Sequence, residues 1–166
     1  IVPFRQSDAV LPGSAVVLEV ERIPFVSYPY EWCFSQLKDA AVLTLDLQAK
    51  ALESGLTLKD ASAYNVQWQG ARPVFIDLLS FETRREGRPW DAYRQFCMHF
   101  LAPLALIQRT DLRCGVLSSL WMDGVPLDLA AKLLPWPSRL NLGLSMHLFL
   151  HAQLDTRHCA ARKSVT

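Results

Sequence analysis

Three polar residues, Asp60, Asn65 and Asp77, have the types and the spacing that phosphoryl transfer needs. In that reaction the protein does little covalent work. It supplies one carboxylate near the attacking hydroxyl and oxygen ligands that hold magnesium on the phosphates. A D-x-x-x-x-N loop followed by a strand that ends in Asp provides these groups, so this stretch is the strongest candidate for a chemical site.

The elements around these residues are predicted to bring them together. Short apolar runs at residues 56–58, 66–68 and 73–76 read as strands, and residues 59–65 read as the loop between the first two. A turn at Gly70 reverses the chain, so that Asp77 can face the loop. The pattern therefore predicts one shared cleft, in which a single hydrated magnesium ion could bridge at least two of the three side chains.

A long amphipathic helix precedes this loop. Apolar residues recur at three- and four-residue steps over residues 31–54, and Gly55 follows where a C-terminal cap glycine is common. The spacing predicts that Leu37, Ala41 and Leu45 form the buried face of the helix. Upstream, residues 15–23 are rich in β-branched side chains and are predicted to be a strand.

The second half of the chain is predicted to be mostly helical. Residues 82–89 are charged and read as a surface connection. Helical spacing resumes over residues 90–108, although Pro103 is expected to bend or break that helix. Three further helices are predicted at residues 112–121, 126–134 and 138–154, the last with Ser138 as its N-cap. The fold class is therefore α+β, with few strands and many helices.

Composition limits the function classes. The 166 residues are 51% hydrophobic, which is enough for one domain with its own core. Lys and Arg total 17 against 16 Asp and Glu, and this net charge of +1 does not attract nucleic acid or anionic lipid. The longest apolar run, residues 100–107, is far short of the roughly 20 residues that span a bilayer. We expect neither a nucleic-acid nor a membrane partner.

Two further features concern the cellular setting and the origin of the chain. The four cysteines are widely spaced and include no CxxC pair, which favours a reducing, cytoplasmic location. The sequence opens Ile1-Val2-Pro3-Phe4, with neither an initiator Met nor a secretory signal. We therefore expect a segment of a larger protein.

The segment from Asp60 to Asn65 resembles the catalytic loop of protein kinases and of aminoglycoside and choline phosphotransferases. Ile76-Asp77 resembles the start of their metal-binding segment. The resemblance implies a kinase-like large-lobe fold, with a few short strands around the catalytic loop. It also implies that Asp60 is the catalytic base or hydroxyl-orienting carboxylate, and that Asn65 and Asp77 bind magnesium and, through it, ATP or ADP.

The sequence departs from the kinase pattern in several places. Leu58 and Lys59 stand where protein kinases have His and Arg, and Asp77 is followed by Leu78-Leu79 rather than Phe-Gly. No G-x-G-x-x-G loop and no V-A-I-K-like lysine precede the first predicted strand. Phosphoryl transfer by this chain alone is therefore not expected.

Four further stretches resemble the N-terminal region of nodulation NoeA-like proteins, which are described as class I SAM-dependent methyltransferases. The stretches are ERIPFVSYPYEW, LKDASAYNVQW, RPVFIDLLSFE and YRQFC. This resemblance implies that residues 1–158 form one kinase-like module of a larger protein, followed by a flexible tail at residues 159–166. The partner it implies is a methyltransferase domain of the same parent.

The glycines bear on where SAM could bind. All seven are isolated from one another, so no glycine-rich strand-to-helix turn for SAM can form, and SAM is expected only on a domain outside this chain. The main functional reading is a module with a magnesium–nucleotide or phosphate site. Two alternatives stay open: an active small-molecule phosphotransferase, and a pseudokinase-like docking scaffold without catalysis.

Two other groups of residues have side chains that could bind a metal or act as a nucleophile. His147, His151 and Asp155 follow one another at four-residue spacing on a predicted helix, a geometry that can chelate zinc. Two partly exposed histidines on a helical face are the favoured reading. Cys97 and His99 do not form a nucleophile–base pair, because residues two apart on a helix face away from each other.

Overall fold

The computed structural model describes residues 1–154 and shows a mixed α+β architecture, as the sequence predicts. The proposed tail at residues 159–166 lies outside the described residues, as do Asp155 and His158. Among the described residues, no helix is long and apolar enough to cross a membrane.

The strands of the described part form three separate antiparallel pairs. β1 pairs with β2, β3 with β6, and β4 with β5. The strands are β1 Phe4–Ser7, β2 Val17–Val20, β3 Leu56–Leu58, β4 Val66–Gln69, β5 Arg72–Phe75 and β6 Phe81–Thr83.

The helices are one long element and several short ones. They are α1 Phe34–Glu53, α2 Tyr93–Phe96, α3 Ala102–Arg109, α4 Leu117–Leu120, α5 Leu127–Leu133 and α6 Leu142–Leu144. A π-helical segment, Cys97–Leu101, joins α2 to α3, and a second one, Ser145–Leu150, follows α6. Single 3-10 turns lie at Pro29–Glu31, Ala63–Asn65, Leu78–Ser80, Leu112–Val116 and Trp136–Leu140.

The strands around the site agree with the sequence prediction except for β6. The β4–β5 hairpin turns at Gly70, whose φ of 62° lies in the left-handed region that favours glycine. β6 falls partly in the stretch predicted to be a charged surface connection, where the alternation that identifies strands is absent. It exists because β3 pairs with it, with Leu58 opposite Phe81.

The long helix α1 forms where the spacing predicts, but it buries a different face. Leu37 and Ala41 are buried, whereas Leu45 is 45% exposed, so the prediction for Leu45 is wrong. Thr44 and Gln48 take the buried positions in its place. Thr44 donates its hydroxyl proton to the Ala40 carbonyl, and Gln48 bonds to β3. The face is set by these polar contacts as well as by apolar side chains.

Of the two outcomes expected at Pro103, a bend or a break, the helix is not broken, because the hydrogen-bond pattern around the proline changes. The Ala102 N–H bonds to the Cys97 carbonyl, five residues back, as in a π-helix. In this pattern the Met98 carbonyl would need the N–H of residue 103, and proline has none. The Val125 N–H bonds to the Met98 carbonyl instead, at 3.0 Å.

The hydrogen bond from Val125 to Met98 brings the backbone around Gly124 against the π-helical segment. Gly124 has a φ of +97°, and a Cβ built on it would lie 2.6 Å from Met98 Cβ and 3.0 Å from the Met98 carbonyl carbon. No side chain larger than hydrogen fits there without movement. The approach fixes the position of residues 122–125 relative to the helix.

The last helical region also differs from its prediction. Ser138 does not cap a long helix; it is buried inside the 3-10 turn Trp136–Leu140. Asn141 caps α6 instead, because its side-chain oxygen accepts a hydrogen bond from the Leu144 N–H at 3.0 Å.

The core lies between α1, the β3–β5 region and the helical stretch over residues 93–109. Large side chains with almost no exposed surface fill it. They are Leu58, Val66, Phe75, Phe100, Leu106, Leu127 and Leu148. The N-terminus joins this core, because Val2 is buried and its N–H bonds to the Phe75 carbonyl.

The observed face of α1 predicts unequal costs for two matched substitutions. Leu37→Ala should lower the free energy of unfolding by about 2–5 kcal/mol, because Leu37 is only 3% exposed and its removal leaves a cavity. Leu45→Ala should cost less than about 1 kcal/mol, because the half-exposed side chain gives up little buried area. Urea titration measures both, and equal losses would contradict the observed orientation of α1.

The close approach at Gly124 makes a second prediction. Gly124→Ala should cost at least about 2 kcal/mol in free energy of unfolding, because it combines a left-handed φ with a clash against the Met98 backbone. Gly115→Ala is the matched control. Its φ is not positive and its new methyl group would meet only the Ile107 side chain, at 3.6 Å from Cδ1 and 3.9 Å from Cγ1, so we expect a change of less than about 1 kcal/mol. A tolerated Gly124→Ala would show that residues 122–125 are not held against the helix.

Candidate functional site

The middle of the loop between β3 and β4 is buried, although Lys59 is exposed. Leu58, Ala61 and Ala63 have no exposed surface, and Ser62 is also buried. Buried backbone polar groups that lack a helix or sheet partner cost free energy if they stay unbonded. The loop must therefore be held by side chains from other elements.

Side chains from two directions meet this requirement. From α1, the Gln48 side-chain oxygen accepts a hydrogen bond from the Leu58 N–H at 2.8 Å. From the other side, the Trp90 indole N–H donates to the Leu58 carbonyl at 2.7 Å, and the Gln95 side-chain oxygen accepts from the Ala61 N–H at 2.8 Å. The loop is clamped between α1 and the start of the helical stretch over residues 93–109.

Asp60, Asn65 and Asp77 are joined in one hydrogen-bonded chain. Asp60 Oδ1 accepts from the Ser62 N–H at 2.8 Å and from Asn65 Nδ2 at 3.0 Å. Asn65 Nδ2 also donates to Ser80 Oγ at 3.2 Å, and the Ser80 hydroxyl donates to Asp77 Oδ2 at 2.6 Å. The structure thus brings together the residues that the sequence identified and adds Ser80, which sequence reasoning missed, as the link.

The hydrogen bonds among these four side chains determine which oxygen atoms remain for a ligand. The Asn65 amide group donates both of its protons, one to Asp60 and one to Ser80, so its oxygen Oδ1 stays free to accept a hydrogen bond or to bind a metal. Both bonds to Asp60 end on Oδ1, and its Oδ2 has no hydrogen-bond partner among the described residues. Asp77 Oδ1 accepts from the Leu79 N–H at 2.9 Å and, as a carboxylate oxygen, keeps a further lone pair.

These oxygen atoms fit a hard cation such as magnesium. Within residues 1–154 no group of three or more His, Cys, Asp or Glu side chains is placed to hold a metal by itself. A magnesium site built from one carboxylate, one carboxamide, waters and ligand phosphates does not need such a group. The assignment of Asn65 and Asp77 as magnesium ligands stays a prediction.

A surface cleft of about 350 Å³ opens beside Asp60 and Asn65. The prediction that all three residues share one cleft holds for Asp60 and Asn65 but is wrong for Asp77, which is not among the lining residues and is joined to Asn65 through Ser80. The cleft is lined by Asp60, Ser62, Tyr64, Asn65, Gln95, His99, Met122 and Asp123. Residues far apart in sequence therefore share the cleft with the predicted loop.

His99 forms the deepest polar part of this wall. It belongs to the π-helical segment, is 8% exposed, and has the Tyr64 ring edge-on to it at 6.1 Å between ring centroids. Burial lowers the pKa of His99, while the nearby Asp60 and Asp123 carboxylates act in the opposite direction. Burial thus favours the neutral imidazole, although two acidic side chains lie near it.

Tyr64 packs against His99 and is itself perturbed. Its pKa is raised, mainly by burial and further by Tyr30 and Asp123. Its hydroxyl oxygen is buried without a hydrogen-bond partner among the described residues. An unpaired buried hydroxyl is costly, and it leaves a donor free beside the cleft.

Sequence reasoning missed Gln95, His99 and Asp123. A usable signal was present for the first two, because they are polar residues four apart on a helix whose neighbours Phe96 and Phe100 are apolar and buried. No comparable pattern marks Asp123, whose place in the cleft depends on the contact between Gly124 and Met98.

The histidine pair predicted as a zinc alternative packs against an aromatic ring instead. His147 Nδ1 and the Tyr93 hydroxyl are hydrogen-bonded, and the His151 ring stacks on Tyr93 with centroids 5.2 Å apart. Burial is the main reason that the pKa of Tyr93 is raised. The third ligand of that alternative, Asp155, lies outside the described residues.

Comparison with known proteins finds a relative that aligns with most of this chain. Over 149 residues the chain is 40% identical to nodulation protein NoeA of Rhizobium meliloti (strain 1021), an alignment that covers 90% of this chain and 31% of that protein. The resemblance to NoeA-like proteins is thus confirmed, and the chain spans about a third of its relative's length. No protein-family model and no solved structure matches the chain.

The role of Asn65 as a double donor makes a third prediction. Asn65→Asp should lower the free energy of unfolding by about 1–3 kcal/mol, because it replaces both donated protons with an oxygen that faces Asp60 Oδ1 and Ser80 Oγ. Asn141→Asp is the matched control. Asn141 only accepts a bond at a helix N-terminus, where a carboxylate serves equally well. Equal stabilities of the two variants in urea titration would contradict the bonding assigned to Asn65.

Proposed function

We propose that this chain is a kinase-like module of a NoeA-like, nodulation-related protein of the methyltransferase type, and that the cleft beside Asp60 binds magnesium with a nucleotide or another phosphate ligand. The hydrogen-bonded chain from Asp60 through Asn65 and Ser80 to Asp77 is the observation that carries this proposal. It joins the three residues that the kinase resemblance singles out.

The strand pairing supports the kinase-like part. Leu58 at the end of β3 lies opposite Phe81 at the start of β6, and the β4–β5 hairpin carries the chain out and back between them. The pairing places Asp60, just after β3, close to Ser80, just before β6. A helix, a loop, a hairpin and an Asp in this order are what the resemblance to kinase large lobes implies.

Each of the four hydrogen-bonded residues has a role in this proposal. Asp60 would orient a ligand hydroxyl through its Oδ2, while Asn65 Oδ1 and Asp77 would hold magnesium. When bound, the magnesium ion would neutralise the charge of the ligand phosphates. Ser80 and Asn65 keep the two carboxylates at fixed positions by hydrogen bonds.

Binding is proposed rather than phosphoryl transfer by this chain alone. No Lys or Arg lines the cleft, and the sequence has no kinase-type lysine to contact the phosphates. SAM would bind a part of the parent protein outside these residues, and this methyltransferase domain is the proposed partner. A cytoplasmic location goes with this proposal, because Cys33, Cys97 and Cys114 carry free thiols.

A second candidate function, a docking scaffold without catalysis, is favoured by a surface feature. Leu112, Val116 and Leu120 lie four residues apart on the helical stretch that includes α4, and each is more than half exposed. Large apolar side chains that face water within one short segment are typical of a surface that packs against another domain or protein.

Ligand-induced stabilisation tests the first function. Magnesium with ADP should raise the melting temperature, because a ligand that binds only the native state stabilises it by mass action. At 100 times the dissociation constant the gain is about 2.7 kcal/mol, which a thermal melt detects. Asp77→Asn should abolish the shift, because it removes the charge of a proposed magnesium ligand.

Asp46→Asn is the matched control, because Asp46 lies on the exposed face of α1. It should keep the full shift. ADP with EDTA in place of magnesium should give a much smaller one. If the wild type shows no shift with magnesium and millimolar ADP, nucleotide binding is excluded and the docking scaffold becomes the better function.

A further inference from the structure

A second surface cleft, of about 340 Å³, is bordered by α5, the 3-10 turn Trp136–Leu140 and residues 149–153. It shares no lining residue with the cleft beside Asp60. Leu134, Phe149 and Ala152 are buried and give it an apolar floor. A cleft of this volume is in the range of small-molecule sites.

Arg139 contributes hydrogen-bond donors to this second cleft. Its guanidinium carbon lies over the Phe149 ring, 4.7 Å from the ring centroid. A guanidinium held over a ring face keeps its N–H donors available to other partners, because they point outward in the plane of the group. Among residues 1–154 no carboxylate pairs with Arg139. Its backbone is held as well, because the Ser145 hydroxyl donates to the Arg139 carbonyl.

The charged residues of the second cleft leave one positive charge unpaired. Lys132 pairs with Asp128, one turn earlier on α5, at 3.4 Å. The lining residues thus include two cations and one carboxylate, a net charge of +1, and Arg139 carries the unpaired charge. A guanidinium matches a carboxylate, because two parallel N–H groups can donate to its two oxygens. The cleft therefore favours a carboxylate anion.

Trp136 supplies an aromatic surface at the same cleft. Its side chain is 68% exposed, although Trp is highly buried on average. It lies between Pro135 and Pro137, whose rings fix their own φ angles, and the Ser138 N–H closes the turn on the Pro135 carbonyl at 2.9 Å. The backbone of Trp136 is thus constrained while its indole ring stays exposed. Such a ring can stack on a flat aromatic ring of a ligand.

From these observations we propose that the second cleft binds a small aromatic carboxylate, with the carboxylate paired to Arg139 and the ring packed against Trp136 and the apolar floor. The two contacts support each other, because a ring that excludes water strengthens the ion pair beside it. This site goes beyond the proposed function, since it needs neither magnesium nor nucleotide and involves no residue of the Asp60 cleft.

Three probes of similar size and shape separate the contribution of charge from that of the ring. They are benzoate, neutral benzamide and cyclohexanecarboxylate, an anion without an aromatic ring, each titrated at pH 7 and constant ionic strength. Chemical-shift changes at the Trp136 indole N–H and at the backbone amides of Ala131, Lys132 and Arg139 report binding. Benzoate should bind about tenfold more tightly than benzamide and about fivefold more tightly than cyclohexanecarboxylate.

Two variants test the two contacts separately. Arg139→Gln should weaken benzoate binding about tenfold and remove its advantage over benzamide, because it deletes the charge and keeps a polar side chain. Trp136→Leu should remove the advantage of benzoate over cyclohexanecarboxylate, because it keeps an apolar side chain without a ring. Arg72→Gln is the matched control and should leave binding unchanged, because Arg72 is exposed on β5 and does not line the cleft.

Several results would overturn this proposal. They are no shift of the reporting signals with benzoate at about 50 mM, equal binding of benzamide or of cyclohexanecarboxylate, and unchanged benzoate binding in Arg139→Gln. Magnesium and nucleotide are absent from these titrations, so their outcome is independent of the ADP experiment.

Discussion

The structure depends on one constraint, the need to satisfy the backbone of a buried loop. Residues 61–63 of the loop that follows β3 are buried, as is Leu58 at the end of β3, so water cannot pair with their N–H and carbonyl groups. Gln48, Trp90 and Gln95 bond to those groups from two different helical regions. The same contacts that satisfy the buried backbone groups also hold Asp60 in one position. Local stability and the geometry of the site therefore have a common origin.

A second constraint acts through Pro103. Proline has no N–H to offer, so the π-helical segment leaves the Met98 carbonyl unpaired within its own helix. The Val125 N–H fills that position, and Gly124 has to approach the helix closely for it to do so. As a result, Asp123 and His99 face the loop that carries Asp60. A residue that sequence reasoning treats as a helix breaker instead joins two distant parts of the chain.

The two constraints determine which polar groups line the cleft. Its loop side is rigid and rich in paired oxygens, and its helical side adds an imidazole and a second carboxylate. The similarity to NoeA covers nine-tenths of the chain, so both sides of the cleft belong to the part shared with that relative.

The sequence by itself determined the α+β class, the helix before the loop, the β4–β5 hairpin and the grouping of Asp60, Asn65 and Asp77. These features depend on spacing and turn residues within short segments, and such signals are local. It did not determine the buried face of α1, where Thr44 and Gln48 are buried and Leu45 is exposed, because the bonds of Thr44 to Ala40 and of Gln48 to β3 leave no trace in apolar spacing. Nor did it reveal Ser80, His99 and Asp123 as members of the site. Their places follow from backbone groups far apart in the chain that had to pair once the interior excluded water, and only tertiary structure decides those pairings.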